Sequence, residues 1–234
     1  MELCQKKRSS PQSETLEGEI WIGIALATES RMMISFCIGR TESCLAEPLV
    51  AQTEERLCHE ATPLWVSDGL DAYGCALFSR HHVVETYPRT GKRGRPRRPK
   101  LVACPALRYG QVVKKRDERQ RLVGVFKRAV FGDFPLHTIQ TVSIERQNLN
   151  LRHENRRLTR KTVAFSKKVE WLKRQMHLYQ AYFNLVRVHR GLRQRRNGTT
   201  PPRWHQRTPA IAAALTDRIW SLRDLMCFKT FINH

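Results

Sequence analysis

Long apolar runs are missing from this chain, and none approaches the roughly 18 residues that a membrane span requires. The polar start, Met1 to Ser10, has no apolar region of the kind a secretory signal carries. The seven cysteines, Cys4, Cys37, Cys44, Cys58, Cys75, Cys104 and Cys227, include no C-x-x-C pair, which argues against a zinc knuckle or a redox dithiol. Their odd number and scatter predict reduced thiols in a cytosolic protein, several of them buried. No internal repeat is present. Acids are scarce beyond residue 86, where 8 Asp/Glu face 35 Lys/Arg.

What is present is segregated positive charge. The formal net charge is +21 over 234 residues. Residues 1–86 carry 7 Lys/Arg against 13 Asp/Glu, residues 87–128 carry 15 against 2, and residues 129–234 carry 20 against 6. Such a distribution points to a polyanion partner, nucleic acid ahead of an anionic membrane. Phosphate contacts of this kind give affinity without sequence choice and weaken steeply with salt. The 41% hydrophobic content suffices for one sizeable core, so one α/β domain with basic extensions is expected.

Glu19 to Leu26 and Arg31 to Gly39 are apolar, β-prone runs, with Thr28-Glu29-Ser30 as a tight hairpin between them. Glu42 to His59 has helical spacing behind a Thr41 cap. Leu64 to Ser67 reads as a short strand that ends at Asp68-Gly69, and Leu70 to Phe78 as the helix that follows. Strand, acid, turn and helix is an arrangement in which α/β folds place functional side chains. Thr90 to Lys100 (TGKRGRPRRPK) is a Gly/Pro/Arg linker with no means of packing, either a solvated loop or an arm, through Arg95, Arg97 and Arg98, that tracks phosphates. Leu107 to Lys114 and Arg121 to Phe126 predict two strands around a charged turn. A helix is expected from Ile144 to about Arg160, capped by Ser143 or the residues before it. Lys168 to Val188 is the clearest helix, its stripe of Val169, Leu172, Met176, Tyr179, Phe183 and Val186 at core-facing spacing. Asn197 to Pro202 breaks the chain, and Ala210 to Leu215 with Ile219 to Leu225 form a short helical tail or two small elements. The five tryptophans are mostly core candidates, although Trp204 could stack on a base. His81-His82 near Cys75 could suggest a metal site, but a loop or helix end is the simpler reading.

Glu145 is a lone carboxylate at the head of a pattern loaded with cations and amides. It could be neutralised by them, or it could hold a metal while they grip phosphates. Two-metal phosphodiester chemistry needs clustered carboxylates that hold ions about 3.5–4 Å apart. Mg²⁺ suits the task because it takes oxygen ligands and keeps exchangeable waters. Asp68 at a strand end and Glu145 on a later helix meet the topological requirement. On spacing alone, surface or capping roles remain open for both.

Val66-Ser67-Asp68-Gly69-Leu70 with Tyr73 resembles the T/S-D-G…Y segment of bacterial insertion-sequence transposases of the DDE type. Glu145-Arg146-Gln147-Asn148-Leu149-Asn150-Leu151-Arg152, then Arg157 to Thr162 and Phe165-Ser166-Lys167, resembles the E-R-x-N-L-x-x-R…R-L-x-R-K-[ST]…F-S-K block of the insertion-sequence-one group. Tyr182-Phe183-Asn184 and His189 resemble that family's following helix, and Thr208-Pro209-Ala210 with Leu215-Thr216-Asp217 and Trp220 a tail found in many members. The resemblance covers most of residues 20–225.

The resemblance implies an RNase H-like core, a mixed sheet flanked by helices, with a basic insertion and a helical C-terminal tail. By position it makes 1–18 a polar lead-in and remnant of the first core strand, 19–190 the core with its basic arm 87–128, and 191–234 the tail. It implies Mg²⁺-dependent cleavage and strand transfer of insertion-sequence ends, DNA as partner, a homo-oligomer on DNA, and a bacterial cytoplasmic, nucleoid-associated location without a membrane. Asp68 matches the family's second catalytic and metal-holding acid and Glu145 its third. Arg146, Asn148, Arg152, Arg157, Arg160 and Lys161 fall in the block that would position DNA.

The family's first aspartate has no counterpart, because no Asp precedes Asp68. Met1 to Lys7 resembles the tail of the D-E motif that holds it, which implies an N-terminally truncated or degenerate transposase. Glu2 is the nearest surviving acid and could substitute, although a carboxylate misplaced by about 1 Å loses much of the rate. The alternative functions are a non-catalytic DNA-binding remnant and a structural RNA-binding protein of the ribosomal type. The acidic balance of residues 1–86 argues against the last.

Overall fold

The computed structural model describes residues 2–3, 20–58, 62–87, 97–159, 163, 166, 168–196 and 203–228. In chain order its elements are β1 (Glu2–Leu3), β2 (Ile20–Leu26), β3 (Met33–Gly39), α1 (Ser43–Glu54), β4 (Leu64–Asp68), α2 (Asp71–Arg80), β5 (His82–Glu85), β6 (Lys100–Ala103), β7 (Arg108–Arg116) and β8 (Leu122–Phe131). These are followed by α3 (Val142–Glu154), α4 (Val169–Ala181), a π-helical turn Tyr182–Val186, β9 (Gln194–Arg195), β10 (Trp204–His205), α5 (Pro209–Ala212) and α6 (Leu222–Cys227). The fold is mixed α/β. The chain divides into two compact units, Met1–Leu45 with Ser143–His234, and Ala46–Val142.

The first unit holds an antiparallel sheet in the order β1-β2-β3. Ile22, Ile24, Met33 and Phe36 from the sheet bury themselves against Leu151, Leu158, Leu172, Met176, Tyr179 and Phe183. Each such side chain contributes about 1.5–3 kcal/mol on burial. The α4 stripe is therefore core, as its spacing predicts, and the helix widens into the π turn that carries Phe183 and Asn184. Asn184 is buried and fastens the turn to β3: its Oδ1 accepts from the Met33 N–H at 3.0 Å and its Nδ2 donates to the Met33 carbonyl at 2.9 Å. Gln180 Nε2 donates to the carbonyls of Met33 and Ile34, each at 2.9 Å.

Two expectations are corrected in this unit, and a third, on the tryptophans, in both units. The β2–β3 turn is wider than Thr28-Glu29-Ser30, because the pairing shifts at Ala25/Leu26. The Ala27 N–H donates to the Met32 carbonyl at 2.9 Å, and Arg31 takes φ +56° inside the loop. The α3 helix ends at Glu154 rather than near Arg160. Asn155 supplies the reason: its side chain accepts from the Arg157 N–H at 3.2 Å and starts a separate 3-10 turn over Arg156–Leu158. Side-chain competition for a backbone donor thus ends the helix. None of the five tryptophans is fully buried, although Trp65 packs against the core of the other unit. Trp171 is 55% exposed and Trp204 39% exposed, while Trp21, Trp65 and Trp220 are partly buried.

The second unit holds a three-stranded mixed sheet in the order β4-β7-β8. β4 runs parallel to β7, from Leu64 beside Arg108 to Asp68 beside Val112, and β7 pairs antiparallel with β8. Ala46 and Val50 of α1 pack with Ala76 and Leu77 of α2 and with Leu107 and Tyr109. Gly132 follows β8 at φ +75°, where a Cβ would lie 2.7 Å from the Leu107 carbonyl oxygen, so only glycine fits without strain. The predicted Thr41 cap is present, with its Oγ1 accepting from the Cys44 N–H at 3.3 Å. Lys100, expected to be unpacked linker, instead enters β6 and pairs with Glu85 of β5. Of the cysteines described, only Cys37 is buried, so the expectation of several buried thiols does not hold. Outside the described residues lie Asn197 to Pro202, Cys4, and the linker from Thr90 to Pro96.

Candidate functional site

Asp68 sits at the carboxyl end of β4, where a parallel strand delivers its last side chain to solvent. The carboxylate is exposed, and its Oδ1 accepts from the Leu70 N–H at 3.3 Å, a long contact that closes the turn into α2. Asp71 opens α2 at its positive end and pairs with Arg128 Nη2 at 3.1 Å.

Behind Asp68 runs a polar network that the sequence does not reveal. The Tyr109 hydroxyl lies 2.7 Å from Ser67 Oγ and accepts from Gln111 Nε2 at 2.8 Å. Ser67 Oγ donates to the Asp68 carbonyl at 2.7 Å, and Gln111 Nε2 also donates to the Leu70 carbonyl at 3.3 Å. Gln111 Oε1 accepts two bonds from Arg128, at 2.8 Å from Nε and 2.5 Å from Nη2. Burial pushes the Tyr109 phenol above its ordinary value, so it stays protonated and can serve as a donor. The network ties β4, β7, β8 and the start of α2 into one support for the Asp68 turn. Alternation along β7 could have placed Tyr109 and Gln111 on one face, but their partners are remote in sequence.

Glu145 belongs to the other unit. It stands exposed in the first turn of α3, where the helix dipole favours a carboxylate. Asn148 and Arg152 follow at three and seven residues on, which keeps them on the Glu145 side of the helix, whereas Arg146 is exposed on the next position. The opposite side is anchored by Gln147, whose Nε2 donates to the Tyr179 hydroxyl at 3.2 Å. That hydroxyl in turn donates to Glu154 Oε2 at 3.2 Å, and Arg187 closes the set by its ion pair with Glu154. Burial, then the Glu154 charge, raises the Tyr179 phenol well above its ordinary value.

The remaining predicted residues are dispersed. Arg157 lies past the end of α3, in the 3-10 turn, and its Nη1 donates to Ser166 Oγ at 2.9 Å, so it does not continue the helical row. Arg160, Lys161 and Arg95 lie outside the described residues. Arg97 and Arg98 are exposed ahead of β6, with the Arg97 guanidinium 5.5 Å from the Tyr87 ring centre. His81 closes α2 and meets Glu54 Oε1 at 2.5 Å, and the His82 ring bonds to the Ser79 carbonyl at 2.9 Å, so both histidines have helix-end partners. Trp204 carries the Arg193 guanidinium 4.2 Å from its ring centre.

The donor set suits a hard cation in kind. Among the described residues the Asp68 carboxylate is engaged by one long hydrogen bond, and Mg²⁺ takes one or two carboxylates plus water. Among the described residues no three His, Cys, Asp or Glu side chains gather as a metal centre. No helix among them is long and apolar enough to cross a membrane.

No curated protein and no solved structure matches the chain. Residues 121–185, from the end of the β7–β8 turn through β8 and α3 to the π turn, match the family model described as IS1 transposase, so the segment that presents Glu145 is similar to IS1 transposases.

Proposed function

We propose that this chain is a DNA transposase of the DDE type, with an RNase H-like core, that cleaves and joins the ends of an insertion sequence. The observation that carries the reading is the match over residues 121–185, whose helix α3 holds Glu145 exposed at its first turn. Asp68, exposed at a strand end outside the matched segment, supports it.

In this reading Asp68 and Glu145 each act as a metal-holding carboxylate. Mg²⁺, when bound, supplies Lewis-acid activation of the attacking and leaving oxygens. The chain itself binds and orients. Arg146, Asn148 and Arg152 meet phosphate oxygens from α3, and Arg97 and Arg98 add charge along the duplex. The Ser67–Tyr109–Gln111–Arg128 network holds the Asp68 turn so that its carboxylate needs little reorganisation.

The alternative reading is a DNA-binding protein that uses its basic surfaces without turnover.

Glu145→Gln separates the two. Removal of one metal-holding charge costs several kcal/mol of transition-state stabilisation, about 10³-fold in cleavage of element-end DNA with Mg²⁺. Duplex affinity stays within about twofold of the unsubstituted protein. Equal cleavage by both proteins refutes the role of Glu145. DNA binding by the unsubstituted protein without Mg²⁺-dependent cleavage leaves the non-catalytic reading.

A further inference from the structure

Two guanidiniums of the first unit, those of Arg31 and Arg146, have no ion-pair partner among the described residues. Arg31 sits in the β2–β3 loop at φ +56°, a left-handed conformation that disfavours any residue with a Cβ. Strained residues of this kind persist where the surrounding structure, and often a ligand site, holds them. His189 follows the π turn. Its ring stands edge-on to Phe183, with centroids 6.5 Å apart and an interplanar angle of 81°, and its backbone N–H donates to the Arg207 carbonyl at 2.9 Å. The ring is thereby held in place, yet its Nδ1 is buried without a hydrogen-bond partner.

Gly191 makes the space between these residues. A Cβ there would lie 3.6 Å from His189 Nδ1, 3.7 Å from Arg31 Nε and 3.8 Å from Arg31 Cζ. The missing side chain therefore leaves a cradle bordered by an imidazole nitrogen and a guanidinium. Gly191 itself is exposed, and His189 Nδ1 lies shielded from solvent beneath it. Burial, then the charges of Arg31, Arg187 and Arg146, holds His189 below its ordinary pKa. Arg187 is neutralised by Glu154. An anion offsets the repulsion among these guanidiniums, and a phosphate matches their forked donors. An oxygen placed at the Gly191 cradle lies just beyond hydrogen-bond reach of both His189 Nδ1 and Arg31, a gap that small side-chain adjustment closes.

We propose that Arg31 and His189, side by side at Gly191, form a phosphate-binding pocket that takes a backbone phosphate of bound DNA. The choice of DNA as the phosphate's source rests on the function proposed above.

The test uses the full chain, a fluorescein-labelled duplex and inorganic phosphate. Arg31→Gly removes the cation and relieves the backbone, so the protein keeps or raises its thermal midpoint. Gly191→Ala keeps every charge and meets its neighbours at ordinary contact distances, but occupies the cradle. Each variant lowers duplex affinity about tenfold and reduces the slope of log K against log salt by about one. Duplex binding by the wild type, matched in affinity and slope by both variants, overturns the pocket and leaves the transposase reading intact. If the wild type binds no duplex, the transposase reading fails, and the NMR signals of the His189 ring decide the pocket. A shift with inorganic phosphate that Arg31→Gly abolishes supports a site for free phosphate; no shift overturns it.

Discussion

Tyr109→Phe isolates the hydroxyl on which the support of Asp68 converges. Tyr109 is 1% exposed, and phenylalanine keeps its ring contact with Phe131, whose centroid lies 6.0 Å away. No cavity forms, so the cost is polar. Two hydrogen bonds disappear, to Ser67 at 2.7 Å and from Gln111 at 2.8 Å. Both partners keep a second contact: Ser67 Oγ with the Asp68 carbonyl at 2.7 Å, and Gln111 Nε2 with the Leu70 carbonyl at 3.3 Å. The loss therefore stays near the net worth of the bonds, about 1–2 kcal/mol, below the about 3–5 kcal/mol of a core truncation. Trp65, the tryptophan of the Ala46–Val142 unit, faces Tyr109 across the β4–β7 ladder. Its ¹⁹F signal in fluorotryptophan-labelled protein reports urea unfolding of that unit. Combination with Ser67→Ala gives a double-mutant cycle with a coupling of about 0.5–1.5 kcal/mol. A destabilisation under about 0.3 kcal/mol, or strict additivity of the pair, would refute the view of Tyr109 as the hub of this network.

Asn184→Ala strands the buried Met33 N–H while Gln180 still serves the Met33 carbonyl; it destabilises the protein by about 1–3 kcal/mol in chemical denaturation, and a cost below that range shows that the clamp is dispensable. The lowered pKa of His189 makes its contribution to stability fully present above the ordinary value of about 6.5 and lost as pH falls through the depressed folded value. Thermal midpoints measured from pH 8 down to pH 5 decline less in His189→Gln than in the wild type, and parallel declines exclude His189 as the titrating group.

How much of the protein was legible beforehand follows from the range of each signal. β2, β3, the strand–acid–turn at Asp68, the β7–β8 hairpin and the α4 stripe rest on periods of two or 3.6 residues and on adjacent turn residues. Such patterns are carried by neighbours in the chain. Helix ends were less legible. The α3 pattern continues in composition to Arg160, but one side chain, Asn155, diverts the backbone donor of Arg157 and stops it. Burial of Cys and Trp departs from expectation for a related reason: residue type sets a tendency, and the neighbours set the outcome.

The candidate acids and the basic blocks were determined by the sequence alone, because a carboxylate among cations and a charge of +21 exist whatever the fold. The supports and the pocket were decided only by tertiary structure. Tyr109 becomes a hub when a parallel ladder sets β7 beside Ser67, and Arg31 meets His189 and Gly191 only when a hairpin loop and the segment after a π turn are folded together. Periodicity orients a side chain relative to its own element, whereas a shared pocket depends on which elements the core draws together.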